Sequence, residues 1–161
     1  MTFGEQAERE FAEILTRYPD KRSALLPSLH LVQREQGYLS PPAMEEVARR
    51  LNLQPVEVLQ VATFYTWFNL KPVGRHRLQV CHNLSCTLVG AERIIATLEE
   101  ELKIGENETT PDGLFTLQRV ECLASCGTAP MMQVNEDYHE NLTPEKVRAL
   151  LAQWRAAANG R

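Results

Sequence analysis

The chain has 161 residues, 43% of them hydrophobic, and a net charge of −4, enough for one compact domain or two small ones. No basic run exceeds two residues, which excludes a nucleic-acid footprint, and no apolar stretch approaches the length of a membrane span. The opening MTFGEQAEREFAEIL is acidic where a signal peptide is basic and then apolar, so the expectation is a soluble, intracellular protein.

Helical periodicity governs the first 70 or so residues. Phe3, Ala7, Phe11, Ile14, Leu15 and Tyr18 fall on one face of a first helix that Pro19 stops. A second stripe, Leu25, Leu29 and Val32, runs to Gly37, a favourable residue just past a helix end; Pro27 implies that this helix is kinked or begins late. Ser40 then predicts an N-cap with Pro41 at the first helical position and acids in the first turn. Met44, Val47, Ala48 and Leu51 form the apolar face. Pro55 opens a fourth helix, PVEVLQVATFYTWF, which is apolar almost all round. Such a helix is either central to its own domain or covered by something else.

From Leu70 to Gly74 the composition is that of a linker, and the pattern changes after it. HRLQVC alternates and predicts a strand; Ala91, Ile94, Ile95, Leu98 and Leu102 mark a helix. Thr110–Gly113 reads as a turn, with Pro111 fixing φ and Gly113 at the permissive position. LFTLQRV, MMQVN and DYH follow as strands. A last helix starts at Thr143 and Pro144, with Val147, Leu150, Leu151 and Trp154 on its inner face. The fold class predicted is α+β: a helical bundle over 1–72, then a domain over 76–157 whose order β-α-β-β-β-α fits a small thioredoxin-like sandwich.

Four cysteines are too few for a disulfide scaffold in a chain this long, and paired cysteines in a reducing compartment point to metal or redox chemistry. Cys81 ends the first strand and Cys86 precedes the next helix; Cys122 and Cys126 follow the second strand. If the two strands are parallel neighbours, both loops open at the same sheet edge, where open α/β sheets bind ligands. Two objects suit four thiolates there: a tetrahedral zinc ion or a [2Fe–2S] cluster. Small residues in the loops (Ser85, Thr87, Ser125, Gly127, Thr128) let backbone N–H groups approach sulfur, and Leu84, Leu88 and Leu123 are placed to exclude water. This composition tilts the choice towards the cluster. His82, beside Cys81, is expected to point away from a shell that four cysteines complete. His30, His76 and His139 show no ligand pattern, and Glu99–Glu101 read as a solvated helix face. No G-x-G-x-x-G or G-x-x-x-x-G-K-[ST] is present.

The quartet in context, VCHNLSC followed by VECLASCGTAPMMQVN, resembles the E-subunit family of respiratory complex I, the small [2Fe–2S] subunit of its NADH-dehydrogenase module. The likeness extends over nearly the whole chain, including KRSALLPSLHLVQREQGYLSPPAMEEVARRLNLQPVEVLQVATFYTWF and TPDGLFTLQRVECL. It implies a thioredoxin-like [2Fe–2S] ferredoxin domain in which Cys81, Cys86, Cys122 and Cys126 hold one binuclear cluster. It also implies an electron-transfer role beside a flavin- and NADH-binding partner subunit, so that FMN and NADH sit on that partner and the isolated chain catalyses nothing. The implied place is cytoplasmic, peripheral on the inner face of the cell membrane, among other complex I subunits. Diaphorase subunits of NAD-linked hydrogenases and formate dehydrogenases carry a similar module. A zinc-stabilised adaptor without redox work is the rival from another class.

Overall fold

The computed structural model describes residues 4–159, which leaves Phe3 outside the described residues. The chain divides into two compact units, one ending at Pro72 and the other starting at Val73.

The first unit holds α1 (Glu5–Thr16), α2 (Leu25–Gln36), α3 (Pro41–Leu51) and α4 (Pro55–Phe64). Ala7, Phe11 and Ile14 are the buried stripe of α1, whereas Tyr18 lies beyond its end and is exposed. A 3₁₀ turn, Arg22–Ala24, leads into α2, and Asp20 accepts from the Ser23 N–H at 3.1 Å to start it. Pro27 therefore occupies the first turn of α2, where its missing N–H has no partner to lose, and no kink is needed. Gly37 closes α2 at φ +80°, donating to the Gln33 carbonyl at 2.7 Å. Ser40 caps α3 as expected, accepting from Ala43 N–H. The acids, however, fall one turn late: Glu46 pairs with Arg49 and Arg50 of its own helix instead of meeting the helix N-terminus.

The fourth helix is shorter than its apolar run. It stops at Phe64, and Tyr65 is extended (φ −92°, ψ 115°). The segment after it is taken by α2: Gln33 donates to the Trp67 carbonyl at 3.1 Å and accepts from the Asn69 N–H at 2.6 Å. Only Val58 and Ala62 of α4 are buried, while Val56, Leu59 and Phe64 remain exposed.

The second unit is a four-stranded sheet in the order β2-β1-β3-β4, from β1 (His76–Cys81), β2 (Phe115–Val120), β3 (Met132–Val134) and β4 (Asp137–His139). β1 and β2 are parallel; β1–β3 and β3–β4 are antiparallel. Parallel neighbours need a long crossover, supplied here by α5 (Leu84–Leu88) and α6 (Ala91–Leu102); α7 (Pro144–Asn159) follows β4. Leu78 and Val80 of β1, Leu117 of β2 and Met132 and Val134 of β3 pack in one core with Ile94 and Leu98 of α6 and Val147 and Leu151 of α7. The turn at 110–113 closes by a 2.8 Å bond from Gly113 N–H to the Thr110 carbonyl, with Gly113 at φ +68°. One expectation needs revision. The glutamate run is not purely solvated, because Glu101 accepts from Arg148 of α7 at 2.8 Å. His76 and His139 pack on one aromatic ring: Trp154 stacks on His76 at 5.2 Å and meets His139 edge-on at 5.4 Å.

Candidate cluster site

Because β1 and β2 run parallel with Cys81 opposite Val120, the segments that follow them leave the same sheet edge. The four cysteines lie on these segments. Cys81 is the last residue of β1. Cys86 is not in an open loop but inside α5, a helix of five residues capped by Asn83, whose Oδ1 accepts from Leu84 N–H at 2.8 Å. Cys122 follows β2, and Cys126 opens a 3₁₀ turn, Cys126–Thr128.

The sulfurs stand as two pairs. Cys81 and Cys86 are buried against Met131 and Ala91, with Leu123 and Ala129 packed beside them. Cys122 and Cys126 are exposed, their sulfurs 3.6 Å apart. Among the described residues, no three His, Cys, Asp or Glu side chains gather around one point as a single metal ion requires. Two pairs of thiols are a grouping that a binuclear centre, with two thiolates on each iron, can use.

Burial, and then the hydrogen bond with Cys81, push the Cys86 thiol up to about 11. Cys126 is also raised, chiefly by its contact with Cys122. Cys86 and Cys126 therefore carry protons in the absence of metal, and ligation must displace them. Donors are already aimed at sulfur to favour that exchange. Ala124 N–H reaches Cys122 Sγ at 3.3 Å, Met131 N–H bonds to Cys86, and the Ser85 hydroxyl bonds to Cys126. The last of these joins the first cysteine segment to the second. A further bridge runs from Asn83 Nδ2 to Glu121 Oε2 at 2.7 Å. The donor set fits a thiolate-held iron–sulfur group.

Several loop residues act otherwise than their composition implies. Ser125 and Thr128 give their hydroxyls to Glu140, and Thr87 gives its own to the His82 carbonyl. Leu84 and Leu88 are 70% and 76% exposed and shield nothing within the chain; only Leu123 packs beside the buried pair. His82 stands 3.8 Å from Glu121 Oε1. Sequence reasoning missed Met131, Glu140 and Asn83. The capping preference of Asn83 was the one readable signal.

A family model described as thioredoxin-like [2Fe–2S] ferredoxin matches residues 11–155. The chain belongs to this family, whose cofactor is a [2Fe–2S] cluster. Its relatives narrow the class to subunits of NADH-quinone oxidoreductase, an oxidoreductase complex. The chain is 50% identical over 157 residues to an E-subunit of NADH-quinone oxidoreductase from Rhizobium meliloti, covering 98% of this chain and 91% of that one. It is 45% identical over 159 residues to NADH-quinone oxidoreductase subunit 2 of Thermus thermophilus, covering 97% and 88%. Against the E-subunit of the same enzyme from Mycobacterium tuberculosis it is 45% identical over 149 residues, covering 92% of this chain and 59% of the longer relative. The fold recurs in an NAD+-reducing [NiFe]-hydrogenase with a TM-score of 0.74 at 22% identity, over 83% of this chain and 23% of that much longer one.

Proposed function

We propose that this chain is the electron-transfer E-subunit of an NADH:quinone oxidoreductase, with Cys81, Cys86, Cys122 and Cys126 holding its [2Fe–2S] cluster. The observation that carries the reading is the convergence of both cysteine pairs at one edge of the parallel β1–β2 pair. When bound, the cluster supplies one-electron acceptance and release. The protein's own residues fix where this happens. Cys81 and Cys86 anchor the buried side, Cys122 and Cys126 face outward, and the Ala124, Met131 and Ser85 donors favour the thiolate forms.

The chain works with other subunits of the complex. In our reading its electron donor is a flavin-bearing, NADH-binding subunit, because hydride chemistry belongs to a cofactor of that kind. Residues 76–157 carry the electron and residues 1–72 serve assembly. No helix among the described residues is long and apolar enough to cross a membrane. We place the chain on the cytoplasmic side, peripheral to the inner face of the cell membrane within the larger complex. The 45–50% identity to quinone oxidoreductase subunits favours this setting over a hydrogenase, for which the likeness is one of fold.

The test has two parts. The chain matured with iron supplied should contain two irons and two acid-labile sulfides, with a rhombic one-spin resonance signal after reduction. Affinity capture from native membranes should recover NADH-dependent quinone reduction. One tightly held zinc without sulfide, or recovery of a nickel–iron subunit in place of quinone reduction, overturns the reading.

A further inference from the structure

Two hydroxyls flank Cys126, and neither points its proton at sulfur. Ser125 and Thr128 both donate to Oε1 of Glu140, Thr128 at 2.6 Å. Glu140 follows β4, far along the chain from the cysteine turn, and the same stretch grips that turn at further points. Tyr138 donates its hydroxyl to the Leu123 carbonyl at 2.8 Å. Asn141 N–H donates to the Thr128 carbonyl at 2.7 Å, and Leu142 N–H to the Pro130 carbonyl at 2.9 Å. Lys146 holds the Glu140 carbonyl at 2.5 Å, fixing the residue from the side of α7. The segment 138–142 is thus the mould in which the Cys122–Cys126 turn is set.

We propose that Glu140 is a positioning residue for the cluster: its carboxylate fixes the turn that carries Cys126, withholds the Ser125 and Thr128 hydroxyl protons from the sulfur, and adds a negative charge beside the site. This rests on the reading that the four cysteines hold the cluster. Hydrogen bonds to cluster sulfur and the net charge around it set the reduction potential. A donor at sulfur stabilises the more negative, reduced form, and a carboxylate nearby opposes it. Committing both hydroxyls to an acid therefore works on both counts in the same direction, towards a lower potential. The two hydroxyls also keep Glu140 ionised, holding its carboxyl below the usual carboxylate range.

The experiment compares Glu140→Gln and Glu140→Ala with the wild-type full chain, each matured with iron and assayed for iron and sulfide before measurement. Glu140→Gln keeps the reach of the side chain and one acceptor but loses the charge. It should retain the full cluster with a more positive midpoint potential and a changed g-spread in the reduced resonance signal. Glu140→Ala also frees the turn, so it should move the potential further the same way and lose iron several-fold faster to a chelator. A residue that merely braced the loop would change thermal unfolding and iron loss, but not the potential of fully loaded protein. A fully loaded Glu140→Gln with unchanged potential and resonance signal overturns this inference alone. A wild-type chain without iron and sulfide overturns the ligand reading beneath it.

Discussion

Cys81 lies opposite Val120 in the parallel register of β1 and β2, two residues before Cys122. The register thus brings the segment carrying the exposed pair to the sheet edge where the buried pair lies. In the proposed cage the four thiolates come from segments that follow two neighbouring strands, and each would satisfy one position on an iron. Cys126→Ala should lose the cluster, read as absent sulfide and bleached visible absorption. Cys126→Ser should keep a fraction of it with a shifted potential, since an alkoxide ligates iron more weakly. Because binding energy at a metal site is partly folding energy, the cluster-free variant should also unfold at a lower temperature than the loaded wild type.

Where β1 begins, the backbone of Gly74 passes against Phe115 so closely that an added Cβ would lie 2.7 Å from its carbonyl carbon and 2.8 Å from its nitrogen. Backbone cannot swing aside as a side chain can. Gly74 N–H also donates to Thr116 Oγ1 at 2.6 Å, which fixes the strand entry. Gly74→Ala should cost about 1–3 kcal/mol, the range for overpacking a close-fitted site. Chemical denaturation of the chain would measure it, and an unchanged midpoint would refute the contact.

The elements that were legible in the sequence carry a period or a local signal. The α6 stripe, the Ser40–Pro41 cap, the Thr110–Gly113 turn and the succession of strands along the second unit all belong to this class. What escaped lacks one. Five residues, Leu84–Leu88, make too short a helix for a 3.6-residue stripe to show, so Cys86 read as a loop residue. The end of α4 has no Gly or Pro to announce it; Gln33, far back on α2, captures the chain there. Glu140 and Ser125 meet only through the path of β3 and β4. The cysteine pairs were legible, but the groups that orient them are set by tertiary contacts.

Arg50 of α3 bonds to both carboxylate oxygens of Glu8 on α1, at 2.6 and 2.7 Å, and to Glu46 at 2.6 Å. Its side chain is 18% exposed. The hydrogen bonds from Arg49 and Arg50 hold Glu46 down to about 2, and Arg50 lowers Glu8 as well. Both folded values lie below those of the unfolded chain. The stabilisation is therefore complete above the ordinary carboxylate range, near pH ~4.3, and fades as pH falls through it towards about 2. Arg50→Met should lower the melting temperature by roughly 4–8 °C at pH 7, the shift that about 1 kcal/mol produces in a unit of this size. Repeating the melts down to pH 3 should narrow the gap between variant and wild type. A gap that widens in acid would contradict the sign.

The aromatic run at the end of α4 separates into two kinds of residue. Phe68 is 6% exposed, with its ring 5.0 Å from that of His30. Phe64 is 76% exposed, and Val56 and Leu59 on the same helix are 57% and 45% exposed. Their spacing along α4 makes an apolar stripe that contributes little to the core of the isolated chain. If residues 1–72 serve assembly, the two kinds should respond oppositely. Phe68→Ala opens a cavity in the core and should cost about 3–5 kcal/mol in unfolding free energy. Phe64→Ala should leave unfolding within about 0.5 kcal/mol of wild type while weakening co-purification with the other subunits of the complex. The measurement pairs a denaturation curve of the isolated chain with affinity capture from membranes. Should Phe64→Ala associate as well as wild type, the stripe is not an assembly surface and the aromatic there has another role.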